Sequence, residues 1–437
     1  MDIIGTGKII KKTRSVCPHC LGSLPAVIYE KERQVYMQKA CPEHREFDVY
    51  LWPDAEHYRW FSKFVFPAVS RKPQTRSLKG CPHDCGLCPD HKRRITLPEI
   101  EVTWRCNLAC PVCFMFDGDQ PPDPSLEMVA WMFETIQYYD GPEIPVQITG
   151  GEPTVRDDLP QIIEIVKKSG ATHVELNTNG IVIGRDIDYL RALKKAGLTN
   201  IYLQFDGLNP PTTKILRGLD VLTEKLQAIE NCRGEKIPVI LSVTIVDGVN
   251  ERELGDIIHF AMDNLDVISG LALQTAFESG RFEVPSRKHL SVGDVAHLIS
   301  GQTGGKISAW DFWPVGSSHP LCYGSTYLLE VDGDYEPFTK HFNEQDYRRM
   351  FDSTSPQGAV FMDIVAKSLP SGLLHRGLPI LIMEYMDAWT MDLDRARECN
   401  LAVTVSDGTS IPFCVYHLTD INGKRLYPHG RKNGGCA

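Results

Sequence analysis

Cys81-Pro-His-Asp-Cys85-Gly-Leu-Cys88 and Cys106-Asn-Leu-Ala-Cys110-Pro-Val-Cys113 repeat one spacing, C-x3-C-x2-C, with seventeen residues between them. Three thiolates this close cannot all pair as disulfides. They can wrap one face of a cubane iron–sulfur cluster and leave one iron open to a ligand. A zinc site is the alternative on such a spacing, because metals with different ligand preferences share short cysteine motifs. Either way the fold has to gather thiols, and the sequence after the second triplet supplies a scaffold for that.

That scaffold is an alternation of strand and helix patterns. Ile100–Thr103 reads as a strand running into the Cys106 loop, and a helix begins near Ser125 with Met128, Trp131, Met132 and Ile136 at helical spacing. Val146–Thr149 is a second strand, ending in Gly150-Gly151-Glu152-Pro153. Further strands are expected at His173–Leu176, Ile201–Phe205, Val239–Ile245 and Val267–Leu273, with helices at Leu159–Lys168, Asp186–Ala196, Leu219–Asn231 and Glu251–Met262 between them. Six such units predict an α/β fold, a partial (β/α)6 TIM-like barrel of parallel strands with right-handed crossovers. Functional groups should then gather at the carboxyl ends of the strands. Asn177 and Asn179 follow strand three, Gln204 and Asp206 strand four, and Gln274 strand six. Turn chemistry is the competing explanation for these side chains, since Asn-Gly and Asp-Gly end strands routinely.

Across roughly residues 98–280 the cysteine triplet, the Gly-Gly-Glu-Pro turn and the six units resemble the radical S-adenosylmethionine (SAM) enzymes. The resemblance implies that Cys106, Cys110 and Cys113 hold a 4Fe–4S cluster whose open iron is chelated by SAM. Gly150, Gly151 and Glu152 would cradle the methionyl end of SAM, with Asn177 and Asp206 expected to touch ligand. The residue before the third cysteine is usually aromatic in that family; here it is Val112, and Phe114 is the candidate to replace its stacking role.

Outside the barrel the order of motifs is similar to one subgroup, that of tetraether lipid synthases and class D radical SAM methylases linked to pterin methylation. Cys17-Pro-His-Cys20 and Cys41-Pro-Glu-His44 precede the two triplets; Gln204-Phe205-Asp206-Gly207, Ser318-His319-Pro320-Leu321-Cys322-Tyr323 and Ile411-Pro412-Phe413-Cys414 follow them. Ser317 stands where the subgroup often carries a further cysteine. The resemblance implies reductive cleavage of SAM to a 5′-deoxyadenosyl radical, hydrogen abstraction from an unactivated carbon and formation of a carbon–carbon bond. C-methylation with a folate-type one-carbon donor is the first expectation, and tetraether-type coupling of lipid chains the second. The latter needs an apolar tunnel, for which Phe260, Phe277, Phe282, Trp310, Phe312 and Trp313 are candidates, though aromatic residues more often pack a core. Radical modification of a peptide or protein, or an iron–sulfur electron-transfer role without turnover, are the remaining readings. A reducing donor such as ferredoxin or flavodoxin and a small-molecule or lipid substrate are the implied partners.

The flanking segments carry metal patterns of their own. Residues 1–75 read as a zinc-ribbon or rubredoxin-like module, with Cys17, Cys20, Cys41 and His44 around zinc or mononuclear iron and a hairpin turning at Glu30–Arg33. Such a segment is too short to fold on its own core, so the metal is part of its stability. Residues 76–97 form an auxiliary 4Fe–4S loop on Cys81, Cys85 and Cys88; residues 98–284 are the barrel, and residues 285–437 an auxiliary and substrate region. There, Cys322, Cys399, Cys414 and Cys436 either assemble a third cluster or lend Cys322 to the Cys81 group. Cys232, alone in a helical stretch, reads as a small buried hydrophobe.

At 437 residues the chain exceeds one compact core. Fourteen cysteines without an apolar leader fit thiols committed to metals in a reducing cytoplasm rather than disulfides. No run approaches the ~18–20 apolar residues of a membrane span. A net charge of −10 argues against a nucleic-acid partner. The basic run His91-Lys92-Arg93-Arg94 is expected to be a solvated connector.

Overall fold

The computed structural model describes residues 7–68, 71–115, 121–286, 288–331, 333–345, 347–348 and 377–428. The chain opens with an antiparallel meander of β1 (Lys8–Val16), β2 (Ser23–Lys31), β3 (Gln34–Ala40) and β4 (Glu46–Trp52). Glu32 and Arg33 both have positive φ, the conformation a two-residue hairpin needs to match strand twist, so β2 and β3 turn where the charged residues fall.

A second sheet begins with β5 (Leu97–Thr103); its loop includes the short β6 (Val112–Cys113). β7 (Val146–Gly150), β8 (Val174–Thr178), β9 (Asn200–Gln204), β10 (Val239–Ile245) and β11 (Ile268–Thr275) follow in parallel register, each beside its predecessor in the sheet. Helices Leu126–Asp140, Leu159–Lys168, Ile187–Ala196, Leu222–Glu235 and Leu254–Asp263 make the crossovers. Two cap signals set their starts: Ser125 accepts from the Met128 N–H, and Asp186 from the Tyr189 N–H. Asp186 also separates a first helical piece, Ile181–Arg185, from the second. A further short helix, Pro210–Arg217, was not among the expected ones.

The expected boundary at residue 284 is not where this sheet ends. After β12 (Arg281–Phe282), which pairs with β6, the chain adds β13 (Trp313–Pro314), β14 (Tyr323–Val331), β15 (Asp334–Pro337), β16 (Gly377–Glu384), β17 (Leu401–Thr404) and β18 (Ser410–Pro412). β16 runs parallel beside β11, and β17 parallel beside β5. The expected six parallel strands thus become eight, with antiparallel β14 and β18 outside them. β13 and β18 form the two ends of the sheet. The C-terminal segment is therefore part of the barrel wall.

Nor is the N-terminal module separate. Ile28, Met37, Trp52 and Phe61 belong to the same buried cluster as Ile148, Leu176, Leu203 and Leu241 of the barrel. The Cβ position of Gly293 already lies 2.5 Å from the Trp52 ring, so the helix Val292–Gln302 meets the ribbon with no room for a side chain. Lys39, 1% exposed, donates to Ser15 Oγ and to the carbonyls of Ala388 and Trp389, tying the ribbon to the segment between β16 and β17. Cys232 is buried in the common core. The basic run is not wholly a solvated connector: Arg93 is buried and donates to the Gly316 and Phe66 carbonyls and to Glu398, because its fork can satisfy three acceptors at once. No helix among the described residues is long and apolar enough to cross a membrane.

Trp52→Ala should cost about 3–5 kcal/mol. Because the core is continuous, chemical denaturation followed by ribbon and barrel probes should show both losing stability together; an unchanged barrel transition would contradict a shared core.

Candidate functional site

A cavity of about 1540 Å³ runs inside the barrel from the cysteine loop at the carboxyl ends of the strands to their amino ends. That exceeds the ~300–1,000 Å³ usual for one small ligand. Cys106, Cys110 and Cys113 line its upper end, beside Gly150, Gly151 and Glu152.

The two glycines fix this arrangement. A Cβ on Gly150 would lie 2.2 Å from the Thr103 carbonyl oxygen, and one on Gly151 would lie 2.3 Å from that of Arg105. Gly150 also has φ +143°, which L side chains rarely adopt. With no side chains intervening, the Gly151 N–H donates to Thr103 O (2.8 Å) and the Glu152 N–H to Arg105 O (2.9 Å). The turn after β7 is thus bonded to the residues that lead into Cys106.

Glu152 turns its carboxylate into the protein. It accepts from Thr154 N–H (3.1 Å) and hydroxyl (2.6 Å), Thr178 hydroxyl (2.7 Å) and Asn179 N–H (2.7 Å). Burial raises its pKa, and these four donors oppose the shift. Asn179 in turn donates from Nδ2 to Asn107 Oδ1 at 2.7 Å, holding the residue after Cys106. Asn177 lines the cavity, and its Oδ1 is buried with no hydrogen-bond partner among the described residues.

Asp206, expected to touch ligand, does not line the cavity. Both of its oxygens go to Arg217, at 2.6 and 2.7 Å, and it also accepts from the Thr244 N–H. Fully buried, the carboxylate needs that partner. Arg217 is the residue the sequence reading missed: it lines the cavity, donates to Val112 O and interacts with the Cys110 thiol. Burial opposes its charge, but Asp206 and Cys110 together keep the guanidinium protonated. Its only sequence signal was a basic residue four positions beyond Thr213 on an amphipathic helix. Gln204 is likewise engaged, with buried Lys225 and with Asp206, while Gln274 donates to Tyr202 Oη at 2.7 Å.

The cysteine loop is also held from below. β6 pairs with β12, and Arg281 donates to Cys110 O at 3.1 Å. Burial first, then the charges of Glu152, Cys110 and Cys113, push the Cys106 thiol up to about 12. A bound cation that replaces the thiol protons relieves that repulsion. Three cysteines lining one end of the cavity are the ligand number of a cluster that keeps one iron open. Val112 lines the cavity and packs with Leu216 and Val246. Phe114 lines the cavity, but its ring is packed against Phe277, Phe413 and His417.

The ribbon brings Cys17, Cys20, Cys41 and His44 together, with ligand atoms all within 4.8 Å of one another. His44 Nδ1 lies 3.6 Å from Cys17 Sγ and 3.3 Å from Cys41 Sγ, a spacing suited to one tetrahedral ion, zinc or iron. Cys81, Cys85 and Cys88 are buried in a loop whose Asp84 carboxylate accepts the N–H groups of Leu78, Lys79 and Gly80; Arg397 interacts with Cys81. Cys322, Cys399 and Cys414 form a further group: burial and then the other thiols raise the Cys399 pKa, and Arg395 donates to Cys322 Sγ at 3.6 Å. Cys81, Cys85 and Cys414 belong to one buried cluster, against which Cys322 and Cys399 pack. Cys436 lies outside the described residues. Ser317, in place of a further cysteine, accepts from Asn400 Nδ2 at 3.2 Å.

Known proteins share these features. Residues 100–261 match the family model described as the Radical SAM superfamily, and residues 9–53 the one described as the HMPTM N-terminal zinc ribbon domain. A 7,8-dihydro-6-hydroxymethylpterin dimethyltransferase of Methanocaldococcus jannaschii is 34% identical, over 96% of this chain and 96% of its own. A GTP 3′,8-cyclase of Alkaliphilus oremlandii is 35% identical over 40% of this chain and 54% of its own. Among solved structures, Streptococcus suis SuiB bound to S-adenosylmethionine superposes with a TM-score of 0.42 at 15% identity, covering 48% of this chain and 47% of that one.

Gly151→Ala should abolish iron retention at the Cys106 triplet, because its Cβ would displace the Arg105 backbone. Iron counting in a background lacking Cys81, Cys85 and Cys88 measures this, and full retention would refute the packing argument. Arg217→Gln leaves Asp206 buried and unpaired, at a cost of about 3–5 kcal/mol. Its thermal midpoint should fall, and Arg217→Gln combined with Asp206→Asn should recover most of the loss.

Proposed function

The chain belongs to the radical SAM superfamily, in the subgroup of class D methylases and tetraether lipid synthases, and we propose that it methylates an unactivated carbon of a reduced pterin using a folate-type one-carbon donor. The 34% identity with a pterin dimethyltransferase over 96% of both chains, together with this chain's zinc-ribbon match, carries this reading. When bound, the 4Fe–4S cluster and SAM supply the 5′-deoxyadenosyl radical that takes hydrogen from such a carbon.

In this reading the protein's own groups bind, orient and exclude water. Cys106, Cys110 and Cys113 hold the cluster at the mouth of the cavity. Gly150 and Gly151, packed on the Thr103–Arg105 backbone, set the turn against which the methionyl end of SAM would rest, while Glu152 keeps that turn rigid. The unpartnered Asn177 Oδ1 accepts a ribose hydroxyl, which would end its isolation. Arg217 places positive charge beside the Cys110 thiolate. The Cys81 and Cys322 groups are the auxiliary cluster sites, and a ferredoxin- or flavodoxin-type protein supplies electrons.

The aromatic candidates give lipid coupling little support. Of the six aromatic residues that a tunnel might recruit, Phe277 alone faces the cavity. Phe260 stacks on Phe205, Phe312 is wholly buried, and Phe282 and Trp313 pack in separate apolar clusters. Near the amino ends of the strands the wall carries Glu99, Gln147, Glu175 and Asn200, and an alkyl chain reaching them would desolvate these groups without repaying them.

Anaerobic reconstitution with iron and sulfide, then dithionite, SAM, a methylene-tetrahydrofolate and 7,8-dihydro-6-hydroxymethylpterin, tests the proposal. The expected products are 5′-deoxyadenosine and a methylated pterin, both lost in Cys106→Ala. 5′-Deoxyadenosine without any pterin product would move the chain to another substrate; bound iron without SAM cleavage would make it an electron carrier.

A further inference from the structure

Near the amino ends of the strands, four polar side chains lie on one rung. The register pairs Glu99 with Gln147, Gln147 with Glu175, and Glu175 with Asn200, across four adjacent parallel strands. All four line the cavity. Gln147 Nε2 and Asn200 Nδ2 both donate to Glu175, fixing it from either side. Glu99 differs. It is 6% exposed and takes no hydrogen bond from the described residues. Burial, then the nearby charges of Glu101 and Glu175, push its carboxyl up to about 8. The charges that act on it are acidic, and the carboxyl faces the cavity; N–H donors from a bound ligand would oppose the upward shift and favour its ionised form.

Two parallel N–H donors are what this group lacks, since a carboxylate accepts them bidentately. We propose that the rung, with Glu99 as its bidentate acceptor and Glu175 beside it, recognises the 2-amino-4-oxopyrimidine edge of a pterin through its N3–H and 2-amino groups. The inference rests on the pterin reading above and adds the residues that select the ring. The height of the rung suits it. Glu99 precedes Thr103 by four residues, about 13 Å at ~3.3 Å per residue, and Thr103 is paired with Gly150 at the cysteine end. A bicyclic ring standing on the rung by its pyrimidine edge directs its opposite side, which carries the C6 and C7 positions, toward Cys106 and the glycine turn. The pocket thereby orders the substrate end for end.

Three probes on the reconstituted full-length protein test the assignment: 6-hydroxymethylpterin, 6-hydroxymethyllumazine, which has an oxo group at position 2, and guanosine, which has the same edge on a purine. Equilibrium dialysis should show the native protein binding the pterin at least about tenfold tighter than the lumazine, the discrimination typical of a bidentate pair. Glu99→Gln should reverse that order, because an amide presents one donor and one acceptor and so matches the 2-oxo, N3–H edge. Equal binding of pterin and lumazine by the native protein overturns the proposal, whatever the variant does. Retained pterin preference in Glu99→Gln also overturns it, while leaving the methylase reading intact. Guanosine binding that depends on Glu99, with no pterin binding, supports the edge site and removes the pterin substrate instead. Competition by tetrahydrofolate with the same dependence supports the edge chemistry and gives the site to the one-carbon donor. Failure of all three probes to bind overturns both.

Discussion

The contact between Gly150-Gly151 and the Thr103–Arg105 backbone is the constraint on which the rest of the site depends. Two strand ends approach so closely that even a methyl group would strike a carbonyl oxygen, and the resulting hydrogen bonds set where the Cys106 loop leaves β5. From there the restraint spreads laterally. Glu152 ties the turn after β7 to Thr178 and Asn179 at the end of β8, and Asn179 reaches back to Asn107. The Asp206–Arg217 pair continues the ring past β9 to Val112 and Cys110. Three thiols on a loop would otherwise sample many arrangements; the surrounding bonds bear the entropy of holding them in one.

The C-terminal segment does more than supply further thiols. By adding β16 beside β11 and β17 beside β5, it extends the wall on both sides of the six central strands. The chain between those strands carries Asp387, Asp392 and Arg395. Asp392 receives the Thr13 hydroxyl of the ribbon at 2.6 Å, and Arg395 pairs with Glu384 while donating to Cys322. Ribbon, barrel wall and one auxiliary thiol group are thus linked through a few buried charges. Such charges are costly unless fully paired, and here each has a partner on another segment.

The interior of the barrel is polar in layers. Parallel strands place every second side chain inward, so a regular pairing register aligns inward groups of different strands at one height. The result is an acidic and amide rung beneath a cofactor-sized space, topped by thiols. In the pterin reading proposed above, such a rung would meet the hydrogen-bonding edge of a flat ring.

Much of this was legible in the sequence, because its signals are local. Cysteine spacing, the glycine pair and the alternation of periods specify metal loops and β/α units within windows of a few residues, and strand β10 was located to its ends. The ribbon ligands were legible for the same reason: a knuckle is a local turn. Long-range pairing was not. β17 is four residues long and β16 contains Pro379, so neither carries a period of its own, and only hydrogen bonding to β5 and β11 makes them part of the wall. Asp206 looked like a ligand contact because it follows a strand, and what overrode that was Arg217, eleven residues on, folding back to consume it. Glu99 and Glu175 looked like ordinary strand residues seventy-six positions apart. The sequence by itself determined where metal-ligating thiols and the glycine turn fall, leaving zinc or iron open at the ribbon, since those signals depend on ligand type and short spacing. Only the tertiary structure decided which polar groups are spent on the fold and which face the cavity, since that depends on the register between strands distant in the chain.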